Sequence, residues 1–490
     1  MDRLHPRGPV GAHRSGDLLL GIDIGTTLIK VGVVGIDGSE IVHTAEPTPW
    51  QRDATGGYFF PQALLDTVLR CAAATVAQAP PADFIGVGVT SMAETTVLLD
   101  ESSRPVGPAI AWFDVRAREE FAQMKRDLGA DVVARTTGLA TSQIPTVATI
   151  QWLRHHVDES RAAVSFVAVA DWIVSQLCGG LFSELSQASR TGALDIVGRQ
   201  WWGSAVEWVG LRTENQLPLR QAGTPFGVVT SDHPGLERLR GAVATSAGHD
   251  HLCASVGVGV NHAGLVLDSC GTAEALLRPV AHSAIADVSE GHPHGIEIGW
   301  HVIPDHYALI GGLSLGLNIL PVLEKLGVES RGGQTSLDAG ALALLGEARQ
   351  GQEVAEELGA VTSLRERLDA AEMVSAHEGE SPEQIWLNVA RTAVAGAHRL
   401  FMGLVELGGP VSEVRVSGGW SRNLVLRALK SEIFPPLSYP LVEESGIRGA
   451  ALLAALAAGA YASPLELPGP ALDAQDHTIE VPSPSATRTA

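Results

Sequence analysis

Leu20-Gly21-Ile22-Asp23-Ile24-Gly25-Thr26-Thr27 is echoed, about half the chain later, by Val266-Leu267-Asp268-Ser269-Cys270-Gly271-Thr272-Ala273. Each is an apolar strand ending in Asp, then a turn with Gly followed by Thr, then another apolar strand. Either alone reads equally well as an ordinary hairpin, because Gly and Thr are common in turns. Together they imply a duplicated fold with one loop per half. Gly at the apex of a tight turn lets backbone amides point at one spot with no Cβ in the way, and adjacent Thr hydroxyls add donors; such a nest suits phosphate oxygens. Two nests facing each other across a cleft would grip a polyphosphate from both sides. Lys30 adds a cation near the first loop, and Asp23 offers a hard oxygen ligand for hydrated Mg2+. Neither loop is a Walker A motif, which sets the P-loop class aside.

Outward from these hairpins, β-branched apolar runs alternate with helical stretches, the mark of an α/β protein. Leu18–Ile24, 29–36, 85–89 and 96–100 read as strands, and 61–79 as a helix. Ser381 opens a late helix with Pro382 at its first position and Gln384 completing a capping box. A third Gly-rich point, Ser417-Gly418-Gly419-Trp420-Ser421-Arg422-Asn423, follows a strand at 413–416 and precedes a helix at 424–433. Its glycines would let a flat ring lie on the backbone and Asn423 could bond its edge, though a plain strand-to-helix turn explains it too. The Ala- and Gly-rich stretch 449–465 is too short of apolar residues for a membrane span and reads as a buried helix.

Gly248-His249-Asp250-His251 lies just before the second half's first apolar run. An alcohol attacking a phosphorus must lose its proton, so a carboxylate within hydrogen-bond reach is the natural base, and Asp250 is placed between the halves. The competing reading is that Asp250 caps a helix beginning near Leu252.

The chain has 490 residues, 34 Lys+Arg against 55 Asp+Glu, a net charge of −21 and 45% hydrophobic residues. That length has room for two to four full cores. The acidic balance, with no Lys/Arg-rich run, argues against nucleic-acid and anionic-membrane partners. Four scattered cysteines signal neither a disulfide framework nor a zinc site and fit a reducing cytoplasm. Residues 1–17 read as a loose leader without a signal-peptide h-region, and 471–490 as an unpacked tail.

Taken together, these residues resemble the FGGY family of carbohydrate kinases in the actin-like ATPase superfamily. The resemblance runs from about residue 18 to 465 through Gly21–Lys30, 86–100 with 109–117, 186–195, 248–254, 268–274, 417–423 and 443–451. It implies two ribonuclease H-like domains around a central cleft, an N-terminal sugar-binding one over 18–247 and a C-terminal ATP-binding one over 248–470. It also implies ATP-dependent phosphorylation of a sugar, polyol or sugar acid, with ATP and Mg2+ as cofactors. Asp250 then matches the family's general base. Asp23, Gly25, Thr26, Thr27 and Lys30 match its first phosphate motif, with Asp23 as the metal-organising carboxylate. Gly271 and Thr272 match the second phosphate motif, and Gly418, Gly419 and Asn423 the adenosine motif. A homodimer is admitted.

Polyol recognition needs carboxylates, amides and an aromatic wall. The segments 90–96 and Trp112-Phe113-Asp114-Val115-Arg116, the latter resembling the family's Trp-x-Asp-x-Arg signature, offer Glu94, Trp112 and Asp114, with Arg116 holding the loop by a salt bridge. Core packing is the alternative for Trp112, and a solvated strand end for Glu94. Ala93 stands where glycerol kinases carry Arg. Met92 is not followed by the His-Gly of xylulokinases, although a xylulokinase-like pentulose kinase stays as the alternative substrate reading. His249 and His251 read as loop or packing residues, and Ser186, Ser189, Arg190, Thr191 and Asp195 as structural. The family's Pro- and Arg-containing segment is not recognisable in 327–380. The rival from another class is a non-catalytic actin-like ATP-binding protein, which would need neither Asp250 nor a sugar site.

Overall fold

The computed structural model describes residues 16–139, 144–271, 273–285, 295–328, 330–349, 374, 377 and 379–473. Most of the proposed leader and tail, and Thr272, lie outside the described residues. In the first half, β1 (Leu18–Ile24), β2 (Leu28–Gly35) and β3 (Glu40–Pro47) form an antiparallel meander. Helix α1 (Pro61–Gln78) follows, with Pro61 at its first position and Leu64, Leu65, Val68, Cys71, Ala72 and Val76 on a buried stripe. Then β4 (Phe84–Ser91) pairs parallel to β1, β6 (Val243–His249) pairs parallel to β4, and the short β5 (Gly227–Val228) closes the edge, giving the order β5-β6-β4-β1-β2-β3. β1 is buried on both faces, which is why it reads as a near-continuous apolar run, whereas β3 alternates half-buried with exposed residues along the sheet edge.

The second half repeats the plan. Helix α2 (Asp250–Gly257) leads into β7 (Leu265–Cys270), β8 (Glu274–Ala281), β9 (Glu297–Trp300) and β10 (His306–Leu313). Helices α3 (Leu315–Lys325) and α4 (Pro382–Gly408) follow; the Ser381 side chain accepts a bond from the Gln384 amide, the first half of a capping box, while the Gln384 side chain donates to Asn388. After them come β11 (Glu413–Ser417), α5 (Leu424–Ile433) and β12 (Leu437–Ser438), and the sheet runs β9-β10-β8-β7-β11-β12. In both sheets the first strand pairs antiparallel to the second and parallel to a later one, β4 in the first sheet and β11 in the second, so the duplication read from the two hairpins is present in the topology.

The halves are joined by α2 and by α6 (Ser445–Ala457), which begins and ends earlier than the 449–465 stretch suggested. Helix α6 is buried almost all round, and its small residues allow backbone-to-backbone contact. A Cβ on Gly21 would stand 2.1 Å from the Ile447 carbonyl oxygen, one on Gly88 1.9 Å from that of Ala450, and one on Gly449 2.0 Å from that of Cys253. Leu252, Cys253 and Val256 of α2 share a core with Leu265 and Leu267 of the second sheet and with Ala450 and Leu453 of α6. No helix among the described residues is long and apolar enough to cross a membrane, and the four cysteines are free thiols.

Candidate active site

The parallel strands β1, β4 and β6 end together, with Ile24 beside Ser91 and Ser91 beside His249. Asp23 is the next-to-last residue of β1, and the segments leaving those ends carry Thr26, Glu94 and Asp250. Ligands of open α/β sheets gather at such carboxyl ends, because loops from several strands converge there.

Asp250 is the first residue of α2, whose cap position is His249, so it does not cap the helix through its side chain; its Oδ1 accepts the His251 amide at 2.7 Å and lies 3.2 Å from His249 Nε2. Desolvation works to raise its carboxyl, but the charges of His251 and His249 and the His251 amide outweigh it and hold it below the usual range. It is therefore ionised at neutral pH, in the state that accepts a proton. The turn before it is built from both sides. Gly248 sits at φ +74°, where a Cβ would strike Ser186 Oγ at 2.3 Å; its carbonyl accepts Thr90 Oγ1 and Gln187 Nε2, and the His249 amide donates to Ser186 Oγ. Ser186 in turn donates to the buried Glu184 carboxylate at 2.5 Å. Ser186 thus has the structural part expected of it, while Glu184 and Gln187 were not singled out in the sequence.

Asp23 is half-buried at the end of β1, opposite Lys30 in register. Its Oδ1 is buried with no hydrogen-bond partner, and its Oδ2 faces Gly446 at the start of α6 so closely that a Cβ there would lie 2.4 Å away. Desolvation, with the charge of Asp250 next, pushes its carboxyl up to about 7 against the pull of Lys30. A hard cation would relieve this pair of carboxylates, so the residues present fit Mg2+ at Asp23. Lys30 donates to Glu444 at 2.6 Å, which ties the first loop's strand to the approach of α6. The Gly25 amide closes the turn onto the Leu28 carbonyl, and the turn's other carbonyls are held by Thr48 and Trp50, leaving Thr27 exposed.

Trp112 is 41% exposed and donates its indole N–H to Thr26 Oγ1 at 2.8 Å, so it is an open wall rather than core. Asp114 is buried and takes a bidentate bond from Arg116, which also reaches Asp53. The loop-holding salt bridge expected of Arg116 is in place, and it occupies both Asp114 oxygens. Glu94 sits at φ +59°, an uncommon conformation for a non-glycine residue, and is not a solvated strand end: Arg190 holds it at 2.6 Å and reaches Glu297 of β9 at 2.6 Å. Desolvation works to lower the buried Arg190, but Glu297 and Glu94 prevail and raise it.

In the second sheet β7 and β11 end side by side, Ser269 next to Ser417. Gly271 starts the turn of the β7–β8 hairpin, and exposed Gly418, at φ +92°, lies so near Cys270 that a Cβ would meet its carbonyl at 2.5 Å. Gly419 has open space where a side chain would be. Asn423 is engaged elsewhere: its Oδ1 caps α5 at the Leu426 amide and its Nδ2 donates to Asp338. Beside this turn, Leu313 of β10 and Ser314, Leu315 and Asn318 line an open apolar pocket with Val389 and Ala393 of α4. Ser314 and Asn318 gave no sequence signal, since a Ser-x3-Asn spacing is unremarkable without the pocket.

Two such sheets, with a glycine turn at the strand ends of each, have the ribonuclease H-like, actin-like ATPase fold. Residues 18–257 match the N-terminal domain of the FGGY family of carbohydrate kinases. An Autoinducer-2 kinase of Yersinia pestis (strain Pestoides F) is 30% identical over 264 residues, 51% of this chain and 49% of that protein; the chain spans about half the length of the curated relatives it matches. Among solved structures, a xylulose kinase from Rhodospirillum rubrum superposes with a TM-score of 0.78 at 19% identity, over 92% of each chain. Gluconate kinase from Lactobacillus acidophilus gives 0.77 at 16% identity over 93% of this chain and 92% of that one.

Proposed function

We propose that the protein is an ATP-dependent carbohydrate kinase, a phosphotransferase with an alcohol acceptor. The observation that carries the reading is the ionised Asp250 carboxylate beside the unsatisfied Asp23 carboxylate at one convergence of strand ends. Asp250 takes the proton of the acceptor hydroxyl as it attacks the γ-phosphorus. Asp23 would hold Mg2+, which supplies charge neutralisation on the phosphate oxygens. The turns at 25–27 and 271–273 receive the phosphates, and Gly418 and Gly419 give a flat surface for the base. The pocket lined by Ser314 and Asn318 lies beside the second turn, since Leu313 pairs with Glu274 in register, and is the nucleoside's place. Trp112 walls the acceptor, with Glu94 and Asp114 set by their arginines. We keep the division into 18–247 and 248–470, with α6 crossing back onto the first sheet. A cytoplasmic setting and a homodimer belong to the same proposal, the latter checked by light scattering.

The non-catalytic alternative has less support, because a protein that only binds ATP needs no carboxylate kept ionised at this point. The test is ADP release across sugars, polyols and sugar acids, with xylulose, gluconate, glycerol and autoinducer-2 in the panel. One acceptor should stand out, and Asp250→Asn should lower its turnover by about 10²- to 10⁴-fold with ATP binding kept. Flat rates over the panel, or near-normal turnover of the variant, would refute the assignment.

A further inference from the structure

The second sheet holds a buried polar group that the proposed reaction does not use. In the β7–β8 hairpin Cys270 pairs with Glu274 and Asp268 with Leu276, so Asp268, Cys270 and Glu274 share one face at the feet of the 271–273 turn. Lys430 of α5 reaches them from 160 residues away, its Nζ 2.5 Å from Asp268 Oδ2, 2.5 Å from Glu274 Oε1 and 3.2 Å from Cys270 Sγ. The Lys430 side chain is 3% exposed and both carboxylates are 0% exposed. Three acceptor atoms this close could hold a metal ion, and the ammonium fills that place. Helix α5 also continues from the Gly418–Gly419 turn, whose backbone rests on Cys270. Both glycine turns at this end of the sheet therefore stand on one buried cation.

Resting on the kinase reading, we propose that Lys430 is a positioning residue for the nucleotide: it fastens the hairpin to α5 and so fixes the 271–273 turn relative to Gly418–Gly419. A tie between two loops that must grip one ligand acts on affinity for that ligand rather than on the acceptor. Desolvation, opposed by Lys430 and aided by Asp268, pushes the Glu274 carboxyl up to about 8, so at neutral pH it carries a proton. Losing that proton puts a negative charge beneath the turn that would receive phosphate. The other groups facing the cluster are the Cys270 thiol and the Tyr439 phenol, both held protonated by desolvation, with the Arg427 guanidinium stacked 3.7 Å over the Tyr439 ring.

The experiment measures ATP binding by calorimetry without acceptor, then steady-state kinetics, on the full chain. Lys430→Met should raise the ATP dissociation constant and ATP KM by about tenfold or more, with acceptor KM within about twofold. If the uncompensated carboxylate stops this variant folding, Lys430→Met/Asp268→Asn/Glu274→Gln replaces it and should fold yet bind ATP as weakly. Glu274→Gln should match the wild type at pH 7 and lose the weakening of ATP affinity seen in the wild type above pH 8. Unchanged ATP affinity in either lysine variant, or a wild-type pH profile in Glu274→Gln, overturns the positioning role. A wild-type chain that binds no ATP overturns the kinase reading itself, and that control is read separately.

Discussion

Replacing Asp23 with asparagine should make the protein more stable at neutral pH, by an amount that grows with pH. Asp23 titrates near 7 in the folded chain against 3.8 as its ordinary value, so between those values the folded state holds a proton the unfolded state has released. Stability then falls as pH rises, with a slope of about 1.4 kcal/mol per unit, and the loss is complete above the folded pKa. The full difference is about 4 kcal/mol as an upper bound, of which about 2 kcal/mol falls between pH 5.5 and 8.5. The substituted amide is isosteric with the carboxyl and has no proton to lose. The assay is chemical denaturation of both proteins in EDTA across that range, read as the gap between their midpoints. A second arm adds Mg2+ with ATP, which should stabilise the wild type by about 2.7 kcal/mol at a hundredfold excess over its dissociation constant, and Asp23→Asn by much less. A gap that stays flat from pH 5.5 to 8.5 would mean that Asp23 is already ionised and compensated, and the metal-site argument would lose its physical basis.

Gly88→Ala should destabilise by about 1 to 3 kcal/mol or more, seen as a lower thermal midpoint, because its Cβ would sit 1.9 Å from the Ala450 carbonyl oxygen and α6 would have to shift. Arg190→Met should cost about 3 to 5 kcal/mol by removing the guanidinium that faces the buried Glu94 and Glu297 carboxylates, and adding Glu94→Gln and Glu297→Gln should restore part of it in the same denaturation assay. Trp112→Phe keeps the wall but removes the bond to Thr26 Oγ1, a loss of about 1 kcal/mol, so ATP affinity measured without acceptor should fall about fivefold.

What the sequence made legible was local. The β1 range is the one read from its apolar run, and the Ser381 cap and α5 are where their residue types put them. The repeated Gly-Thr turn announced the duplication because both copies must solve the same backbone problem. The partners of buried charges were not legible, since nothing near Arg190 in the chain names Glu297, nor does anything near Lys430 name Asp268. The two aspartates that made the hairpins look alike show the limit most clearly. Asp23 stands two residues before Gly25, and Asp268 three before Gly271. Side chains alternate along a strand, so that one-residue offset sends them to opposite faces. Asp23 shares the face of Gly21 and meets α6, whereas Asp268 shares that of Val266 and Cys270 and meets Lys430, the neighbouring Leu267 instead packing towards α2. Ser269, not Asp268, occupies the position that corresponds to Asp23. One half of the duplicated fold therefore turns its carboxylate towards α6, where a metal would relieve it, and the other turns it inward onto a lysine, which is how two nearly identical sequences divide chemistry and support between them.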